Sequence, residues 1–209
     1  MQSVLTVFGT KETEIILEKS RFVTYSTHVE SENEARAFLS EIKKAHPFAT
    51  HVVYAFIADK TGNVVRFSDD GEPQGTAGLP VLEVLKNKGL FETAVAVVRY
   101  FGGIKLGAGG LTRAYASSAS ENLKQANVRR LEEAVELKLI VAYDKADFAE
   151  KYIFKQNAVL IKKAYEQEVE FIVAVKKKDE EAFEKGVVDY LLGKVKWTPL
   201  REYFFPFEA

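Results

Sequence analysis

The stretch "TAVAVVRY" at positions 93–100 is apolar on both faces up to Arg99. A strand that reads this way belongs in the middle of a sheet whose two sides are both covered. It runs straight into "FGGIKLGAGG", ten residues holding five glycines, and then into "LTRAYASSASENLKQAN". That last segment reads as a helix whose small Ala and Ser side chains suit close packing on a sheet. A buried strand therefore passes through a glycine-rich crossing into a helix.

The flanking segments fit this frame. "SENEARAFLSEIKKAH" is an amphipathic helix in which Ser31 caps the start and Glu34 completes a capping box. Ala35, Phe38, Leu39 and Ile42 share its apolar face. "THVVYAFIAD" reads as a strand, "DKTGN" as a turn and "VVRF" as a further strand. An acidic, glycine-rich loop at 68–78 leads to the helix "LPVLEVLKNKG", with Pro80 in its first turn and Gly89 just past its end.

Near "NVRRLEEA" the character becomes polar, which predicts a short linker and a division into domains 1–130 and 131–209. The second piece reads strand, helix, strand, strand, helix, strand, which is the ferredoxin-like βαββαβ order. Its second helix sets Phe183, Val187, Tyr190 and Leu191 on one face, with Gly193 as the C-cap. The fold class expected is α+β in two domains.

The 209 residues are 47% hydrophobic and 28% charged, with a net charge of −1, so no global positive field draws the molecule to polyanions. Cysteine is absent, which removes disulfides, thiolate nucleophiles and thiolate metal sites. No apolar run reaches the roughly 18 residues of a membrane span, and the first residues lack the pattern of a signal peptide. The expectation is a cytoplasmic protein with no membrane partner.

Charge is concentrated locally. Arg99, Lys105 and Arg113 follow one another along the crossing with no acidic residue between them. Backbone N–H groups at a helix start, helped by the helix dipole, favour an anion there. Tyr100 and Phe101 offer rings on which a base can stack. The spacing is not that of a Walker A loop, and Thr112 stands where a dinucleotide fingerprint needs glycine. Glycines after a buried strand also serve chain geometry alone.

The loop "SDDGEPQGTAG" brings Asp69, Asp70 and Glu72 within four positions. They read as a polar turn, as an acid/base pair or as ligands of Mg²⁺ beside a phosphate. Gln74 and Thr76 can cap the helix that follows. His46 and His51 have no zinc-site spacing, His28 ends a strand without a motif, and no nucleophile elbow is present.

"ATHVVYAF", "RFSDDGEPQGTAGLPVL" and "VVRYFGGIKLGAGGLTRAY", in that order, resemble the IMPACT/YigZ family. The resemblance covers nearly the whole chain. It implies a first domain like the second domain of the ribosomal small-subunit protein five, a fold shared with translation factors and with small-molecule kinases. It implies a second domain resembling the ferredoxin-like domains of elongation factor G. The family signature falls on Asp69, Asp70, Gly71, Glu72, Pro73, Gly75 and Thr76. It continues through Arg99, Tyr100, Gly102, Gly103, Lys105, Leu106 and Gly107. The extra N-terminal partner-binding domain of eukaryotic IMPACT proteins is expected to be missing, so their action on a starvation-responsive kinase is not carried over.

The function expected is a non-catalytic regulator of translation that binds RNA, the ribosome or a translation factor, with no cofactor and no resident metal. Its site would comprise Arg99, Tyr100, Phe101, Gly102, Gly103, Lys105, Gly107 and Arg113. A second loop of Asp69, Asp70, Glu72, Gln74 and Thr76, together with His51, would complete it. Two alternatives stay open: an enzyme acting on a phosphorylated small molecule or nucleotide, and an adaptor that binds another protein through its loops.

Overall fold

The computed structural model describes residues 4–208. The chain divides between Arg129 and Arg130 into two compact units, Glu208 grouping with the first. In the first unit, strand β1 (Val4–Val7) is followed by the hairpin of β2 (Lys11–Leu17) and β3 (Ser20–His28). Then come helix α1 (Glu32–Ala45), β4 (His51–Ile57), β5 (Val65–Ser68), α2 (Gly78–Asn87), β6 (Thr93–Tyr100) and α3 (Gly107–Gln125). The sheet order is β2-β3-β6-β4-β5, antiparallel at each pairing.

β6 lies at the centre, as its two apolar faces require. Val95 and Val97 face α2 and α3, in a cluster with Phe22, Val53, Leu85 and Tyr115. Ala94, Ala96 and Val98 face the other way, against Ala35, Leu39 and Ile42 of α1. The alternation of a strand gives each neighbour in sequence to an opposite layer. This single property later separates Arg99 from Tyr100.

Local signals explain the element ends. Ser31 Oγ accepts from Glu34 N–H at 3.2 Å, as in a capping box, while the Glu34 carboxylate reaches one residue further back, to Glu30 N–H at 2.8 Å. The β2–β3 hairpin turns on Glu18 and Lys19, both at positive φ (46° and 61°), without the Asn-Gly or Asp-Gly pair that usually announces such a turn.

The second unit holds most of β7 (Val128–Val141), then α4 (Ala146–Lys155), β8 (Val159–Tyr165), β9 (Val169–Lys176), α5 (Glu180–Tyr190) and β10 (Lys196–Glu208). β7 is flanked by β9 and β10, and β8 pairs with β9, which is the strand arrangement of a ferredoxin-like fold. Leu137, Leu139, Phe171 and Val173 pack against Ala149 and Ile153 of α4 and Phe183 and Val187 of α5.

Two local expectations are corrected. The polar stretch at 127–134 is not a linker: from Val128 it is strand, its paired charged residues separated by buried Leu131 and followed by buried Ala134. Tyr190 does not join the buried face of α5. It is exposed, and its ring lies 5.3 Å from that of Tyr152. Among the described residues no helix is long and apolar enough to cross a membrane.

Candidate functional site

Arg99 stands on the α3 side of the sheet, at the end of β6. In register it faces Phe22 of β3 on one side and His51 of β4 on the other, so the three form a row across the sheet. Its guanidinium is buried. Nη1 donates to Glu72 Oε1 at 2.6 Å and Nη2 to Ser20 Oγ at 3.3 Å. The same Glu72 oxygen accepts from the hydroxyl of Tyr115 at 2.7 Å. Burial, with the bond to Glu72 next, raises the Tyr115 pKa above the usual phenol value, so this hydroxyl stays a donor. Arg99 Nε is buried with no hydrogen-bond partner.

His51 lies over this group. Its Nδ1 is 2.8 Å from the Asp70 carbonyl, an acceptor only, so Nδ1–H donates. That leaves Nε2 of the neutral ring as an acceptor, 3.8 Å from Glu72 Oε1. Gly71 lies beside the ring, and its φ of +90° is what favours glycine there.

Of these groups, Arg99, Glu72 and His51 line a cavity of about 360 Å³, within the range of small-ligand sites. Pro73, Phe101, Leu106 and Leu111 give it apolar walls, and Lys105 and the Gly107–Ala108 start of α3 stand at its edge. No side chain caps α3: Leu106 occupies the capping position and makes no such bond. The N–H groups of a helix's first turn have no partner inside the helix, and Gly107, Ala108 and Gly109 are exposed. Phe101 is 46% exposed, with Arg99 Cζ 5.5 Å from its ring centre. Its own N–H is held by Thr50 Oγ1 at 3.0 Å.

The expected site residues separate into groups. Phe101, Lys105, Gly107, Glu72, His51 and Arg99 meet around the cavity. Arg99 is not an open phosphate contact, because Glu72 already matches its charge. Tyr100 points into the opposite layer, its hydroxyl 2.7 Å from His46 Nδ1, while Tyr25 holds Nε2 of the same ring at 2.8 Å. It offers the cavity no stacking surface. Arg113 is exposed on α3 and does not line the cavity.

Gly102 and Gly103 shape the crossing. A Cβ on Gly102 would fall 2.0 Å from the Lys19 carbonyl oxygen, so no side chain fits, and Gly103 takes φ +87°.

The acidic loop is structural in two of its three carboxylates. Asp69 accepts from Gly75, Ala77 and Gly78 N–H at 2.8–3.0 Å. It thereby caps α2, a task that neither Gln74 nor Thr76 performs. Gln74 is exposed, and Thr76 Oγ1 donates to the Pro73 carbonyl at 2.6 Å. Asp70 accepts from Val52 N–H at 2.7 Å and pairs with Lys43 at 3.0 Å. With Glu72 turned to Arg99, the three acids share no point where one ion could sit.

Sequence reasoning passed over Ser20, Phe22 and Tyr115. Tyr115 alone left a trace: it is the one aromatic ring in α3, eight residues after Gly107 and set among small Ala and Ser neighbours.

Residues 18–123 match the Impact N-terminal domain family. The chain is 40% identical over 200 residues to IMPACT family member YvyE of Bacillus subtilis, covering 93% of this chain and 89% of that one. It is 32% identical over 188 residues to IMPACT family member YigZ of Escherichia coli, covering 89% and 92%. A crystal structure described only as that of a hypothetical protein superposes with a TM-score of 0.62 at 31% identity, over 96% of this chain and 98% of that one.

Proposed function

The chain belongs to the IMPACT family, and on that premise we propose that it is a non-catalytic regulator of translation whose glycine-rich site takes a nucleotide unit of RNA. One observation carries the reading. The uncapped start of α3, Lys105 and the half-exposed ring of Phe101 border a single cavity. Helix-start amides and an ammonium suit a phosphate, and a ring beside them suits a base. RNA presented by the ribosome or a translation factor, in the cytoplasm, is the partner this reading names.

With Arg99 neutralised by Glu72, the site offers one or two phosphate contacts. Binding of a short single-stranded RNA, followed by fluorescence anisotropy, is then expected to weaken about three- to sevenfold for a fourfold rise in salt. Unchanged affinity in a folded Lys105→Ala protein would sink this reading.

A second reading is favoured by His51. A ring fixed through Nδ1–H, with Nε2 as an acceptor beside the cavity, has the arrangement of a general base. In that case the ligand is a phosphorylated small molecule that is turned over. Mononucleotides would be consumed, and RNA length would not affect affinity.

A further inference from the structure

A second cluster of titratable groups lies at the other end of the same sheet. His28 pairs with Thr93 at the start of β6, whereas the Arg99 row is six residues along. At the rise of an extended strand this places the two sites about 20 Å apart. Here one ring nitrogen of His28 and one carboxylate oxygen each from Glu30 and Glu92 all lie within 4.8 Å of one another.

Hydrogen-bonding partners hold the histidine at both ring nitrogens. Thr6 Oγ1 lies 2.8 Å from His28 Nδ1 and 3.0 Å from the Glu92 carbonyl, to which it can donate. When Thr6 donates to that carbonyl, Nδ1 carries the proton and Nε2 of the neutral ring is left with a lone pair, 3.3 Å from Glu30 Oε1. In that tautomer Nε2 and the Glu30 carboxylate are both acceptors, a pair that a cation between them can bridge. Glu92 adds an independent sign. It is 4% exposed, and its Oε2 has no hydrogen-bond partner. Its other oxygen has Lys60 no nearer than 3.9 Å. A buried carboxylate with an oxygen unpaired is costly unless something else satisfies it.

We propose that His28, Glu30 and Glu92 bind a divalent first-row transition ion, with zinc the best match. One imidazole and two carboxylates form a mixed N/O set that suits zinc better than magnesium or calcium, which prefer oxygen alone. Ligand bonds of about 2.0–2.2 Å would draw the donors to about 3.4 Å apart. Glu30, exposed at the end of β3, supplies that movement, and water completes the coordination on its open side. Thr6 is the positioning residue, holding the ring by its far nitrogen as outer partners of metal-bound histidines do. Lys60 swings aside as the ion takes over the Glu92 charge. The bound ion would tie the ends of β1 and β3 to the turn before β6.

The test is calorimetric titration of zinc chloride into the full, tag-free chain. One zinc per chain is expected, with magnesium failing to compete at equal concentration. His28→Ala should abolish binding, and Thr6→Val and Glu92→Gln should each weaken it by about tenfold or more. No saturable binding, or binding that survives His28→Ala, overturns the proposal. Because substitutions here can disturb folding, the unaltered protein gives the second readout. Nitrogen NMR of its three histidines should show zinc shifting Nε2 of His28 while Nδ1 stays protonated. A shift confined to His46 or His51 overturns it equally.

Discussion

Glu72 Oε1 lies 2.6 Å from Arg99 Nη1, with the Glu72 and Arg99 side chains 4% and 6% exposed. Neither charge reaches bulk water, so each is tolerated only through the other and through Tyr115 and Ser20. Arg99→Ala should therefore destabilise the protein by about 3–5 kcal/mol, since it strands a buried carboxylate. Glu72→Gln keeps the shape but strands the buried Arg99 guanidinium, so it should cost a similar amount. In urea unfolding the double variant should fall well short of the sum of the two. Strict additivity would mean that the two side chains do not act as a pair.

The glycines of the crossing should divide by cause. Gly102→Ala forces a methyl into the Lys19 carbonyl and is expected to lower stability by about 1–3 kcal/mol, the range for overpacking. Gly109→Ala lies in α3 with open space around its Cβ. It should raise stability by about 0.5–1 kcal/mol through helix propensity. Thermal unfolding of both variants tests whether the glycine run is one motif or several separate requirements.

For the RNA reading, Lys105→Ala should flatten the log–log salt dependence by about 0.7, one phosphate on a single strand. Phe101→Ala should cost about 1–3 kcal/mol of binding with the slope unchanged. Arg113→Ala, remote from the cavity, should change neither. Equal losses for Arg113→Ala and Lys105→Ala would place the contact surface elsewhere on α3.

The alkaline limb of stability should carry the mark of Tyr203. Burial, with the Glu136 charge adding to it, pushes this hydroxyl up to about 12. A group whose folded pKa exceeds its unfolded value, here about 10, stabilises fully below pH 10 and less as the pH climbs to 12. Tyr203→Phe should flatten the fall in stability between pH 10 and 12. A variant whose alkaline profile overlays that of the unaltered protein would show that Tyr203 is solvated.

Patterns of period two and 3.6 carried most of the architecture. β6 announced itself by having no polar face, and α1 by Ser31 and Glu34. The β2–β3 hairpin did not, because Glu18 and Lys19 adopt positive φ with no glycine to signal it. The site was half legible. Charge counting found Arg99 and Lys105 together, but it could not tell that strand alternation turns Arg99 inward and Tyr100 to the far layer. Nor could it pair Arg99 with Glu72, 27 positions away. Spacing motifs missed His28 and Glu92 because they meet through tertiary structure, 64 residues apart.

The contact between Gly102 and the Lys19 carbonyl makes the hairpin tip and the rim of the cavity one mechanical piece. A displacement of the crossing as it closes on a ligand would be passed to an exposed turn on the outside of the molecule. The chain has no cysteine, so a single thiol placed at Glu18 could carry a dye to that turn alone. The protein could then report its own occupancy in light, without a label ever entering the cavity.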